Sequence, residues 1–352
     1  MSSLTYPSGP TLHEIELTPR RPVAALADPP ATRPMPQPDQ PTPDQPTPDQ
    51  PALLERRGTA ASRPLCWWRD YVALTKPRIL LMILLTVGAG AACASGTSFP
   101  WAALLHTLLG TSLVAAGASA LNQVVERDQD RRMRRTRNRP LPAGRLTQLE
   151  SSVFGTACGL AGTAYLLLTT NPQAAALAAA TFVLYVGVYT PLKQLSAWNT
   201  AVGTLPGAMP VLIGCVGVGG SVLNTQAWLV TAVVVLWQFP HFMSIAWLFR
   251  EDYERGGYRM WTTGQTQGHV AAAHAVAGAA ALVPVAAASL RGVEGPTLWV
   301  CLAIVLLAGG QQLVASVQFA RRRDDRTARR LLRSSLLVLP LILLAVIWTA
   351  AL

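Results

Sequence analysis

Charge is scarce in this 352-residue chain: Asp, Glu, Lys and Arg make up only 13% of it, whereas 51% is hydrophobic. A soluble domain of this size carries about twice that charged share, so the composition excludes one and points to a chain lying mostly in membrane. Acidic residues are the scarcer sign, 18 against 29 Lys plus Arg, leaving a formal net charge of +11. No basic face interleaved with aromatic residues accompanies that excess, which argues against a nucleic-acid partner. The cations lie between apolar runs, where positive-inside topology accounts for them. Cysteine is sparse too: Cys66, Cys93, Cys158, Cys215 and Cys301 stand singly, most inside apolar segments. None makes a CxxC or Cys/His spacing, which excludes a disulfide framework and a zinc site. The first residues lack a charged segment leading straight into an apolar core and a small-residue cleavage site. No secretory signal is therefore predicted, and insertion is expected to rest on later spans.

What is there first is low complexity. Residues 1–65 are rich in Pro, Thr, Asp and Gln and contain the tandem unit "PTPDQPTPDQ". Such a segment cannot bury enough apolar area to offset its ordering entropy, so a disordered cytoplasmic tail is expected, with a proline-rich docking segment as the other reading. Residues 66–352 form the expected membrane domain, in which apolar runs long enough to cross about 30 Å of hydrocarbon recur. Spans are predicted near 77–95, 101–122, 150–169, 173–190, 200–219, 227–249, 269–290, 297–318 and 334–351. The runs are continuous rather than alternating, so the fold class is all-α, a polytopic bundle of about nine helices rather than a barrel.

The connections alternate in charge. Segments holding Lys76 and Arg78, Arg127 to Arg145, Lys193, Arg250 to Arg259 and Arg321 to Arg333 are basic. The intervening "SGTSFP", "TTNPQ" and "GGSVLNTQ" carry no cation, and in "RGVEGP" Arg291 is offset by Glu294. The N-terminus and every basic loop are thus expected on the cytoplasmic side of a plasma (inner) membrane, with the C-terminus outside.

Within "LNQVVERDQDRRMRRTRNRPLPAG", Asn122, Glu126 and Asp130 stand four apart. On a helix they drift by about 80° in total and line one face at the cytoplasmic mouth. Carboxylates near membrane depth are expensive and usually face a water-filled or protein-lined cavity. Magnesium suits the set because it keeps waters, takes one or two carboxylates and completes its shell with substrate phosphates. The arginines that follow then read in two ways: as a topology signal with Asp128 and Asp130 as counter-charges, or as guanidinium forks for a diphosphate held on the metal. Arg135 and Arg139 are the best-placed forks. Glu251, Asp252 and Glu254, after the sixth span, read either as a solvated helix end or as holding a second magnesium. Lys193 in "YTPLKQLSAWN" reads as an interfacial anchor or a phosphate partner. His241 in "WQFPHF" reads as a packed, hydrogen-bonded residue or as one turned to a cavity toward which Pro240 bends the helix. His106, His269 and His274 have no such context.

Taken in order, "TKPRI", "NQVVERDQDRRMRRTRNRPLPAG", "YTPLK", "GAMP" and "WQFPHF" followed by "DY" resemble the protohaem IX farnesyltransferases (haem O synthases) of the UbiA-type intramembrane prenyltransferases. The resemblance covers roughly residues 70–350 and omits the tail. It implies a nine-helix fold with a cavity open to the cytoplasm, magnesium-dependent use of farnesyl diphosphate, and protohaem IX as acceptor. It places Asn122, Glu126 and Asp130 on the first Asn/Asp-rich motif, Arg135 and Arg139 on the "RTxxRPL" arginines and Lys193 on the "YTxxLK" lysine. Asp252 falls on the last acid of the second motif, whose first acid is replaced by Leu248, with Glu251 as a substitute. The catalytic set is then Asn122, Glu126, Asp130, Lys193 and Asp252; the metal set is Asn122, Glu126, Asp130, Glu251 and Asp252. With the resemblance, His241 is assigned to haem.

Tyr185, Trp237, Phe239 and Phe242 are candidates for the apolar lining that keeps an allylic cation from water, and each serves equally as packing bulk. Two other functions fit parts of the pattern: the same fold acting on an aromatic or quinone precursor, and a membrane transporter. Transporters gather polar residues on broken helices at the midplane, whereas these acids gather at the mouth. The sequence leaves open a downstream haem-modifying enzyme as a partner.

Overall fold

The computed structural model describes residues 67–94, 99–263 and 268–350, so the tail read at 1–65 lies outside the described residues. Among them, nine helices are long and apolar enough to cross a membrane. After a short helix α1 (Trp67–Thr75), the first two spans are α2 (Pro77–Ala94) and α3 (Trp101–Val125). The one-turn-and-a-half helix α4 (Arg127–Arg132) leads through a long basic loop to α5 (Gln148–Thr169). Helix α6 (Pro172–Val183) continues through a π-helical segment, Leu184–Tyr189, into α7 (Thr190–Leu195), and these three make the fourth span. There follow α8 (Asn199–Gly217), α9 (Thr225–Leu248), the short α10 (Arg250–Gly256), α11 (His269–Ala288), α12 (Gly295–Arg322) and α13 (Asp325–Ala350). Each spanning helix packs on the next, and α13 packs on α2, so the nine close into a ring; α2 also crosses to α8, and α9 to α13.

Lipid offers apolar surfaces no drive to associate, so close backbone approach matters here. A Cβ on Gly90 of α2 would overlap the Val211 carbonyl of α8, and one on Gly214 of α8 would overlap the Val87 carbonyl of α2. The two glycines therefore set the α2–α8 contact reciprocally. In α9, Pro240 lacks the N–H that the Leu236 carbonyl would receive. A Cβ on Gly278 of α11 would lie 2.8 Å from that carbonyl oxygen, so glycine lets α11 approach where the ladder is broken.

Seven predicted spans match their helices within about four residues at either end. Two differ for a physical reason. The fourth runs to Leu195 rather than 190 because the π-helical turn carries the helix past the end of the apolar run. The ninth begins at Asp325 rather than 334. Apolar run length marks the bilayer crossing, not the helix, and the basic stretch before it is helical as well. Only Arg323, at φ 49°, and Asp324, which accepts a hydrogen bond from the Thr327 backbone N–H at 2.7 Å, separate α12 from α13. All five basic segments gather at one end of the bundle: four line or flank one pocket, and Asp325 ties the fifth to α9 and α10 through Trp247 (3.2 Å) and Arg250 (3.0 Å).

Candidate active site

The end of α3 builds the acidic side of that pocket. The chain bends at Glu126, between α3 and α4, but the ladder persists: the Glu126 N–H donates to the Asn122 carbonyl at 3.0 Å and the Asp130 N–H to the Glu126 carbonyl at 2.8 Å. The i, i+4, i+8 register read from sequence therefore survives the break. Asn122, Glu126 and Asp130 are 1%, 5% and 0% exposed, whereas Asp128, off that face, is solvated beside Arg131. The three line a cavity of about 120 Å³ together with Arg135, Arg139, Lys193 and Tyr185.

Cations face the acids across this space. Lys193 Nζ lies 2.6 Å from Glu126 Oε1, and Arg139 Nη1 lies 2.7 Å from Asp130 Oδ2. The π-helical turn explains why Lys193 arrives there. With its widened turn, Tyr185, Tyr189 and Lys193 all reach the pocket, and Lys193 Nζ also sits 4.4 Å over the Tyr189 ring. Thr190 completes the joint: its hydroxyl donates to the Tyr185 carbonyl at 2.7 Å and accepts from Asn122 Nδ2 at 3.1 Å. Such π insertions recur at functional sites because they re-aim side chains.

Sequence reasoning gave Lys76 only a topological role, yet its Nζ donates to Asn122 Oδ1 at 3.0 Å and lines the pocket. Its backbone adopts φ 50° just before Pro77, a left-handed conformation that costs a non-glycine residue on the order of 1–3 kcal/mol. Tyr189, Asn199, Tyr258 and Met260 also line the cavity without having been singled out. Burial, with Arg139 beside it, pushes the Lys76 ammonium down to about 7. For Glu126, burial works upward, but Lys193 and Lys76 outweigh it and hold the carboxyl below its usual range. For Asp130, burial wins over Arg139 and the carboxyl is raised.

The second acidic motif sits elsewhere. Asp252 does not line the cavity; its carboxylate accepts from the backbone N–H groups of Arg134 (3.1 Å) and Arg135 (3.4 Å) and from Arg255 Nη2 (2.5 Å). It thereby clamps α10 to the loop after α4. That loop carries Arg135, whose guanidinium lies 4.4 Å over Phe249 and donates to the Tyr253 hydroxyl at 3.3 Å. Glu251 is exposed and lies off the cavity lining. His241 is not brought to the cavity either: its Nδ1 lies 2.9 Å from Ser335 Oγ, and its ring stacks on Trp237 at 4.6 Å. Of the four aromatic lining candidates only Tyr185 reaches the cavity; Trp237 and Phe242 pack about His241, and Phe239 stacks on His274. His106 bonds the Tyr165 hydroxyl at 2.7 Å, apart from the cavity.

The donor set fits magnesium better than a softer metal. Among the described residues no group of three or more His, Cys, Asp or Glu is arranged to hold an ion, so a complete protein cage is absent. Two carboxylates and an amide oxygen at one wall, with lysines and arginines opposite, suit an ion that shares its shell with phosphate oxygens. Asp130 Oδ1 and the Tyr258 hydroxyl are buried in this cavity without a hydrogen-bond partner. A buried carboxylate oxygen left unpaired is costly unless a ligand meets it.

Comparison with known proteins gives the family and the fold. Residues 83–349 match the model of the UbiA prenyltransferase family. The chain is 39% identical over 288 residues to a protoheme IX farnesyltransferase of Rhodopirellula baltica, covering 80% of this chain and 100% of the relative. A structure of a digeranylgeranylglyceryl phosphate synthase superposes with a TM-score of 0.65 at 16% identity, over 81% of this chain and 98% of that one. A UbiA homolog from Archaeoglobus fulgidus bound to DMAPP and Mg2+ gives 0.60 at 16% identity, over 80% and 99%. At those identities the superpositions speak for the fold alone. A ring of nine membrane helices among the described residues, an acid-lined mouth faced by lysines and arginines, and similarity over 80% of the chain converge: the chain is a multi-span membrane prenyltransferase that belongs to the UbiA family and, within it, to the protohaem IX farnesyltransferases.

Proposed function

We propose that this chain transfers the farnesyl group of farnesyl diphosphate to a vinyl group of protohaem IX, with addition of water, to give haem O and diphosphate. The observation that carries the reading is the pairing of Asn122, Glu126 and Asp130 with Lys76, Lys193, Arg135 and Arg139 around one cavity. Asn122, Glu126 and Asp130 would hold Mg2+, the ion found with DMAPP in the Archaeoglobus fulgidus relative of the same fold. When bound, the ion neutralises charge building on the departing diphosphate. The chain's own task is electrostatic. Lys193 and Arg139 lie 2.6 and 2.7 Å from carboxylate oxygens, close enough to exchange those partners for phosphate oxygens. Arg135, held over Phe249, offers a planar fork from the loop side.

The C–O bond of the allylic diphosphate breaks with its electron pair leaving on diphosphate, and the terminal vinyl carbon of the haem forms the new C–C bond. Water then adds to the benzylic-type cation, and the proton it sheds goes to diphosphate. Tyr185 and Tyr189 close the inner wall of the cavity and limit early capture of the cation by water. His241 is the haem contact: it lies seven residues before the end of α9 at Leu248, about 10 Å along the helix from the end where the basic segments gather, so the acceptor sits deeper than the diphosphate. The basic mouth faces the cytoplasm of a plasma (inner) membrane, with the C-terminus outside, by the positive-inside rule.

The test is diphosphate release from farnesyl diphosphate by purified protein in bilayer discs. Release that requires both protohaem IX and Mg2+ is expected. Release driven equally well by an aromatic acid or quinone precursor would favour the rival acceptor class, and no release under any condition would refute the reading.

A further inference from the structure

His241 and Ser335 stand outside the diphosphate cavity, and the hydrogen bonding between them settles more than their proximity. Ser335 is fully buried on α13. Its single hydroxyl proton is committed: Oγ lies 2.7 Å from the Leu332 carbonyl one turn back, and a carbonyl can only accept. The same Oγ lies 2.9 Å from His241 Nδ1. Were the hydroxyl turned toward the imidazole, Oγ and the Leu332 oxygen would oppose lone pairs at hydrogen-bond distance. Ser335 therefore accepts, and Nδ1 carries the proton. The neutral imidazole then has its lone pair on Nε2, which among the described residues is neither hydrogen-bonded nor sealed from access.

Trp237, one turn before His241 on α9, fixes the ring from its face. The indole stacks on the imidazole at 4.6 Å with 19° between planes, and its Nε1–H donates to the Ser335 carbonyl at 2.7 Å. One residue of α13 thus receives both the imidazole and the indole. Rotation of the imidazole would cost the stacking and the Nδ1 bond together.

We infer that Ser335 is the positioning residue for His241: it holds the imidazole in its Nδ1–H tautomer and presents Nε2 as an axial donor to the iron of the porphyrin acceptor. The inference rests on the haem contact proposed above and adds the partner that orients it. Partners of this kind, donating or accepting at the far nitrogen of a ligating histidine, typically change metal affinity 10–100-fold when removed, about tenfold at the lower end.

The test begins on the wild-type protein without haem, labelled with 15N-histidine in bilayer discs and with His241 assigned by comparison with H241Q. A pyrrole-type nitrogen at Nδ1 and a pyridine-type nitrogen at Nε2 are expected; the proton on Nε2 would overturn the inference without any Ser335 variant. Haem titration follows. Ser335→Ala should mix the tautomers, weaken protohaem IX binding about tenfold and move the haem absorption bands toward those of H241A. Ser335→Thr, which keeps a hydroxyl able to bond back to Leu332, should restore both. Farnesyl diphosphate affinity should be unaltered in all three, which reports an intact fold. Unchanged tautomer and haem affinity in Ser335→Ala would refute the positioning role. An unmoved haem spectrum in H241A would overturn the haem contact itself, and with it the presentation of Nε2, even with the proton on Nδ1.

Discussion

Removing Lys193 should expose how strongly the site is held together by the charges it uses. Its Nζ lies 2.6 Å from Glu126 Oε1, with side-chain exposures of 17% and 7%. At an effective dielectric of about 20, that separation corresponds to about 6 kcal/mol of gross attraction, most of it offset by desolvation. Lys193→Met keeps the stem and deletes the charge, leaving Glu126 buried with Lys76 as its remaining cation. Breaking a buried pair from one side costs about 3–5 kcal/mol, and the persistence of Lys76 places this case near about 3. Glu126→Gln in the same background removes the stranded charge, so the double variant should regain most of that stability. Activity should not return, because the cation for diphosphate and the carboxylate for the metal are both gone. Equilibrium unfolding in mixed micelles, run beside diphosphate release, separates the two effects. Equal destabilisation of the single and double variants would refute the pairing energetics, and recovered turnover in the double would refute the catalytic assignment.

Asp130→Asn should abolish turnover with insertion and folding intact, since the amide keeps the size but loses the charge that meets the metal; near-normal rates would remove the metal assignment. Asp252→Ala should raise the KM for farnesyl diphosphate about tenfold without changing the Mg2+ dependence, because it frees the loop bearing Arg135. A shifted Mg2+ requirement would instead place Asp252 in the metal shell. Gly214→Leu should destabilise the bundle by more than about 3 kcal/mol, because the obstacle is the Val87 backbone and not a side chain that can turn aside. Wild-type unfolding behaviour would contradict the close α2–α8 contact. Deleting residues 1–60 should leave turnover unchanged in bilayer discs, and its collapse would make the tail part of the site.

The span pattern was legible because bilayer thickness forces long apolar runs, and the acidic register was legible because the i, i+4, i+8 spacing survives the bend at Glu126. Lys76 was not, since nothing local tells a lysine that anchors topology from one turned inward by a left-handed backbone before proline. The π-helical turn left no mark in the apolar periodicity, so although the motif offered Lys193 as a phosphate partner, the reach of Tyr189 into the cavity had to come from the structure. Asp252 illustrates the opposite limit. Its place in the motif predicted a ligand, while its oxygens accept from the backbone of a loop more than a hundred residues earlier, a contact that only the closed ring creates. The partner of His241 lies almost as far away in sequence, on α13, and no pattern connects the two.

The most direct test of the central claim is the mass of the porphyrin after purified protein is incubated with protohaem IX, farnesyl diphosphate and Mg2+. The account predicts a haem heavier by one farnesyl group plus the elements of water, with one diphosphate released per product. Unmodified haem, alongside a prenylated aromatic or quinone precursor formed by the same preparation, would contradict it.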